Sequence, residues 1–154
     1  MANDEWKSDD LVVAWSAVLR LHAELVPMID RELVRGVGMP LSWYDVLLEL
    51  NAAPKRRLRM FDLGDAVVLS RTRVSRVVDE LTATGFVRRV PNPDDGRSAY
   101  AELTTEGRAA LRKAAPVYLD SIHKHLGERV AARDAAALRR ILAAAADGRR
   151  ATGT

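Results

Sequence analysis

Residues 70–107 carry Ser70-Arg71-Thr72-Arg73-Val74-Ser75-Arg76-Val77-Val78-Asp79-Glu80-Leu81, then Gly85-Phe86-Val87-Arg88-Arg89-Val90-Pro91-Asn92-Pro93-Asp94-Asp95-Gly96-Arg97, then Leu103-Thr104-Thr105-Glu106-Gly107. Ser70 is a good N-cap, because its hydroxyl accepts from an amide that a first helical turn leaves unpaired. Val74, Val77, Val78 and Leu81 follow at i, i+3, i+4 and i+7 and mark one buried stripe. At about 100° per residue the opposite face carries Thr72, Arg76 and Asp79, flanked by Arg73 and Ser75. Gly85 ends this helix. Residues 86–90 and 98–103 read as paired strands around a Pro/Asn/Asp/Gly turn. Thr104 caps the next helix.

Upstream, a helix spans about residues 9–33, with Leu11, Trp15, Val18, Leu19, Leu25 and Ile29 near helical spacing. Gly36 and Gly38 are expected to stop it, and Gly36-Val37-Gly38 is too short for a phosphate loop. Ser42 is expected to cap a second helix, with Asp45 completing an imperfect capping box. A turn over 51–57 with Pro54 and three cations leads to a short edge strand at 58–60 and a brief helix at 61–67. Downstream, Leu111, Ala115, Tyr118, Leu119 and Ile122 give a helix to about 126 an apolar face, and Pro116 should kink it. Gly127 breaks it. An alanine-rich last helix over 129–146, with small residues that allow close approach, is expected to pack on another helix, ahead of a loose tail. The expected class is mainly α (α+β), one domain without internal repeats. A winged helix-turn-helix lobe covers about 41–104, and helices at about 9–34 and 105–146 form a dimerisation platform.

The chain has 154 residues, 48% hydrophobic and 29% charged, which suits a folded domain rather than a disordered one. It has no cysteine, which excludes disulfides, thiolate metal sites and cysteine-based redox sensing and fits a reducing cytoplasm. The acidic start is wrong for a signal peptide, and no stretch approaches ~20 apolar residues, so no membrane span is expected. Residues 53–113 hold thirteen basic and eight acidic side chains, although the whole chain is only +3. Positive charge is thus concentrated in the middle third, as an anionic polymer would require.

A helix fits the major groove, where base edges are distinguishable. Its first turn offers amides and a positive dipole end to phosphate. Arg73 and Arg76 suit bidentate guanine contacts, Thr72 and Ser75 reach bases or phosphates, and Arg71 holds the backbone. Arg97, just past the turn, is placed to enter a narrow minor groove, with Asp95 fixing its direction. Arg88 and Arg89 alternate along a strand, so at most one faces DNA. Asp79 and Glu80 either limit the contact area or pair with nearby arginines.

Asp95-Gly96-Arg97, five residues, then Leu103-Thr104 with Gly107 resembles the wing signature of the MarR family of bacterial transcription regulators. Residues 69–81 are similar to that family's recognition helix, and the resemblance covers roughly 41–111. It implies a homodimer whose first and last helices interlock, double-stranded DNA with a palindromic operator as partner, and often a small ligand that alters lobe spacing. Such a regulator would lie in the cytoplasm on the nucleoid. Gly64 and Val68 depart from the family pattern, in the short helix and the turn after it.

Trp15, His22, Trp43 and Tyr44 are candidates to line a pocket for a small aromatic or phenolic effector, although core packing is the default for such residues. His22, on the apolar face, reads first as a core histidine. His123 and His125 point about 200° apart on a helix and do not share a metal ion. No cofactor is implied, and no nucleophile–base pair or carboxylate pair stands out. A ligand-responsive repressor is the leading reading. The alternatives are a winged-helix module that binds another regulator or a polymerase subunit and, remotely, an enzyme on the same scaffold.

Overall fold

The computed structural model describes residues 9–67, 69–93, 95 and 98–147. Asp9 opens helix α1 (Asp10–Val37), its carboxylate accepting from the amides of Leu11 and Val12. The helix runs through Gly36 and ends at Gly38, whose left-handed φ of 69° lets its amide reach the Val34 carbonyl. Gly36 is therefore not the stop that the sequence pattern indicates. A Cβ there would lie 3.0 Å from Val117, so the bare backbone lets another helix close in.

Helix α2 (Leu41–Ala52) corrects a second expectation. Pro40, not Ser42, holds the cap position, and no side chain on this helix caps it. The Leu41 amide instead donates to Asp30 Oδ1 of α1 at 2.8 Å. A tertiary acceptor satisfies what a local one was expected to satisfy. A 3₁₀ turn at Pro54–Arg56 places Lys55 and Arg56 at positive φ, and β1 (Arg57–Arg59) and α3 (Met60–Ala66) follow. Then come α4 (Arg71–Ala83), β2 (Val87–Pro91), β3 (Ala99–Leu103), α5 (Thr105–His125) and α6 (Ala132–Asp147).

The three strands form an antiparallel sheet in the order β1-β3-β2, with Leu58 opposite Ala101 and Val87 opposite Leu103. The chain is mostly helical with this small sheet, the winged architecture expected. The stripe Val74, Val77, Val78 and Leu81 is buried, as its spacing requires. It packs with Val46, Leu47, Leu50, Leu63, Val87 and Ala101 into one core. Leu25, Ile29 and Leu33 of α1, with Leu111 and Ala114 of α5, join that core.

The apolar stripe of α1 is split. Its C-terminal half is buried, whereas Leu11, Trp15, Val18 and Leu19 stand exposed, Trp15 at 61%. By length and composition α1 is also apolar enough to cross a membrane. The expectation of no such segment fails because Arg20, His22 and Glu24 interrupt the run without outweighing it. The expectation for α6 also fails within this chain: α6 buries no side chain and packs extensively on no other described element. Ile141 and Leu142 remain exposed on it, and an apolar groove of about 350 Å³ lies between it and the end of α5.

Candidate nucleic-acid interface

Ser70 Oγ accepts from the Arg73 amide at 3.3 Å, so the expected cap starts α4. Because the valine stripe faces the core, the other face must be wet. Thr72, Arg73, Ser75 and Arg76 are all exposed. The guanidinium groups of Arg73 and Arg76 make no hydrogen bond or ion pair with any described residue. Arg71 is exposed too but is engaged by α3: its guanidinium lies 4.4 Å from the Phe61 ring centroid and 3.8 Å from Asp65. A Cβ on Gly64 would sit 3.5 Å from the Arg71 stem, an ordinary contact, so this approach does not depend on the glycine.

The wing is fixed to the helix by side chains. Arg89 donates to Asp79 Oδ1 at 2.6 Å, linking β2 to the outer face of α4. Asp79 thus pairs with an arginine, as one of the two sequence readings had it. Glu80 does not: its Oε2 accepts from Trp43 Nε1 at 2.8 Å. Arg88 pairs across the sheet with Glu102. Both wing-root arginines thereby hold carboxylates on different partners, as strand alternation demands.

At the tip, Asn92 is buried and donates to Ser98 Oγ at 2.8 Å. The Asp95 amide donates to the Asn92 carbonyl, and the Asp95 carbonyl accepts from the Ser98 amide at 3.0 Å. Asp95 therefore shapes the turn through its backbone as well. Asn92 was read only as a turn residue, and the polar residue six positions on was the available signal. Arg97 lies outside the described residues, as do Val68 and the tail over 148–154. Thr104 anchors the wing's far end, accepting from the Gly107 amide at 3.0 Å. In the basic turn, Arg57 sits 4.7 Å over the Tyr100 ring centroid, while Lys55 and Arg56 are exposed.

The four pocket candidates do not converge. Trp15 is exposed, Trp43 holds Glu80 and meets Phe86 edge-on at 6.4 Å, and Tyr44 is buried and stacked on Tyr118 at 4.3 Å. Of the four only His22 lines the crevice between α1, α2 and α5, and it is exposed rather than a core residue. That crevice also contains Asp45 and Glu49, which sequence reading did not place there. Burial, with Glu49 adding repulsion, pushes the Asp45 carboxyl up to about 6. Burial also raises the Tyr118 hydroxyl, and Asp45 raises it further. His125 is buried with its Nε2 unbonded, 3.5 Å from Glu32, while His123 is exposed. Among the described residues no group of side chains is arranged to hold a metal ion.

A capped helix whose outer guanidinium groups have no partner among the described residues, braced by a three-stranded wing, defines a winged helix-turn-helix protein. The MarR family model matches residues 37–98. The chain is 34% identical to Sco3205, a MarR family transcriptional regulator from Streptomyces coelicolor solved in complex with DNA, covering 88% of this chain and 86% of that one with a TM-score of 0.78. It is 27% identical to AbsC from the same organism over 94% of this chain and 97% of that one, with a TM-score of 0.77. Among curated proteins, it is 25% identical to the transcriptional repressor MprA of Escherichia coli K12 over 93 residues, 60% of this chain and 53% of that protein. The chain thus spans about half the length of that curated relative. It belongs to the MarR family of DNA-binding transcriptional regulators, whose matched members are regulators and not enzymes.

Proposed function

We propose that this chain, as a homodimer, binds a palindromic operator and represses transcription until a small effector intervenes. The carrying observation is the outer face of α4, where Arg73 and Arg76 are exposed and hold no carboxylate among the described residues. In water such guanidinium groups gain little, whereas in the major groove each can make a bidentate bond to a guanine edge. Ser70, Thr72 and Ser75 surround them as phosphate or base contacts. Arg71, Arg88 and Arg89, each already paired, set the posture of the helix and wing. Arg97 is assigned the minor-groove contact on its sequence position.

A second copy is the cover that the exposed apolar surfaces favour. Leu11, Trp15, Val18 and Leu19 on α1 and Ile141 and Leu142 on α6 are more than a lone soluble chain leaves bare. Dimer helices would hold two α4 rods one DNA turn apart, ~34–36 Å for successive major-groove half-sites. A ligand that favours another spacing would release DNA by population shift. Such a protein acts in the cytoplasm on the nucleoid.

The test is anisotropy of a labelled duplex from the intergenic DNA beside the gene. Affinity should fall steeply between 50 and 200 mM salt, because each neutralised phosphate releases counterions. Arg97→Ala should weaken binding to all sequences. Arg76→Ala should also flatten base preference at one position, by ~1–3 kcal/mol. Binding to no duplex, or equal affinity for both variants and the parent, would leave the interaction-module reading instead.

A further inference from the structure

We propose that Asp79 of α4 is a positioning residue that withholds Arg89 from the DNA backbone and so limits the sequence-independent part of duplex affinity. This deepens, and rests on, the reading above in which α4 enters the major groove and the wing the minor groove. Adjacent grooves are divided by one phosphate strand, so that strand must cross the seam between α4 and β2. The Asp79–Arg89 pair stands in that seam. Thr72, Arg76 and Asp79 share one row on the outer face of α4, and all three are exposed. Arg89 comes from the inner face of the sheet, directly opposite buried Ala101, and its guanidinium donates to Asp79 Oδ1 at 2.6 Å.

A carboxylate in a DNA-facing row meets phosphate with like charge. The Asp79 side chain is 64% exposed and that of Arg89 38%, and so wet a pair adds little to stability. Its effect on an approaching polyanion is larger, because the pair sums to zero where a lone Arg89 would add one cation. Arg76 lies one turn before Asp79 in the same row, yet its guanidinium bonds to no described residue. The carboxylate thus cancels the wing arginine and leaves the base-reading arginine its charge. A crevice of about 490 Å³ borders Arg89, with Arg59, Phe61 and Ser98 on its other sides. It gives the guanidinium room to turn toward a phosphate once the charge of Asp79 is removed.

Asp79→Asn separates charge from shape. The amide oxygen can still accept from Arg89, so the bond from wing to helix persists, but the seam gains one net positive charge. A variant that loses an ion pair is therefore expected to bind DNA more tightly. Were the pair only a brace, the same change would loosen the wing and weaken binding.

The test is anisotropy of two labelled duplexes, the intergenic one above and one of scrambled sequence, titrated with the full-length protein across a range of salt. Asp79→Asn should bind both about fivefold tighter, the scale of one exposed ion pair. Its slope of log affinity against log salt should steepen by about 0.9, the release expected for one further phosphate. Arg89→Gln should weaken both complexes, since Asp79 then faces phosphate uncovered. Combining Asp79→Asn with Arg89→Gln should return affinity and slope to near the parent's. Asp134→Asn on α6 removes the same charge outside the winged lobe and should leave the slope unchanged. Unchanged or weaker binding by Asp79→Asn, an unaltered slope, an equal steepening in Asp134→Asn, or an Asp79→Asn chain that does not fold would each overturn the inference. Parent protein that binds neither duplex would sink the underlying reading as well, whereas a parent that binds while Asp79→Asn changes nothing sinks the inference alone.

Discussion

Asp45 shows how one unpartnered carboxylate couples stability to pH. Its folded-state pKa stands at about 6 against an ordinary 3.8, so between these values the folded chain holds the proton more tightly than the unfolded one. Stability therefore falls as pH rises through that window and stays at the lower level above it. Asp45→Asn should stabilise the fold at pH 7.5 by roughly 1–2 kcal/mol once partial solvent screening is allowed for, seen as a higher melting temperature, and the gain should largely vanish near pH 4. Calorimetry at both pH values checks this, and an equal gain at pH 4 would contradict it. The glycines give a contrast at the same scale. A Cβ on Gly107 would sit 2.1 Å from the Phe86 carbonyl oxygen, which already accepts from the Thr104 amide and hydroxyl. Gly107→Ala should cost roughly 1–3 kcal/mol in urea denaturation. Gly64→Ala meets only an ordinary contact with Arg71 and should gain up to about 1 kcal/mol from helix propensity. The same exchange has opposite signs because one site faces a pinned backbone atom and the other a flexible stem.

At the scale of elements, the winged lobe was legible because its signals are local. Ser70 and Thr104 cap the helices assigned to them, and the spacing of four apolar residues orients α4. The hairpin follows from turn residues between two alternating runs. What failed was each case in which a partner lies far along the chain. Nothing near Pro40 announces that Asp30 will cap α2, and nothing in Gly36 distinguishes a helix stop from a close approach to Val117. The Trp43–Glu80 bond, 37 residues apart, made an expected pocket aromatic into a brace for α4. Thr104→Ala illustrates the element's dependence on its cap. It removes the acceptor of the Gly107 amide and the donor to the carbonyls of Gly85 and Phe86. A loss of about 1–2 kcal/mol is expected, with weaker duplex binding as the wing loosens.

At the scale of the whole molecule, the exposed half of α1 and the unpacked α6 are predicted to close against a second copy. Sedimentation should give twice the mass of one chain. Leu11→Glu with Trp15→Glu should shift that mass toward the monomer and weaken duplex binding at least tenfold, since two lobes then no longer bind as one. A monomeric parent chain would sink this prediction. Periodicity and capping chemistry, which act over a few residues, were enough to place α4, the wing and the cationic outer face of α4. The crevice, its acidic lining, the brace from Trp43 and the division of α1 into covered and bare halves emerged on folding. Each depends on which side chains meet across tens of residues, and a linear pattern carries the periodicity of an element but not the identity of what packs against it.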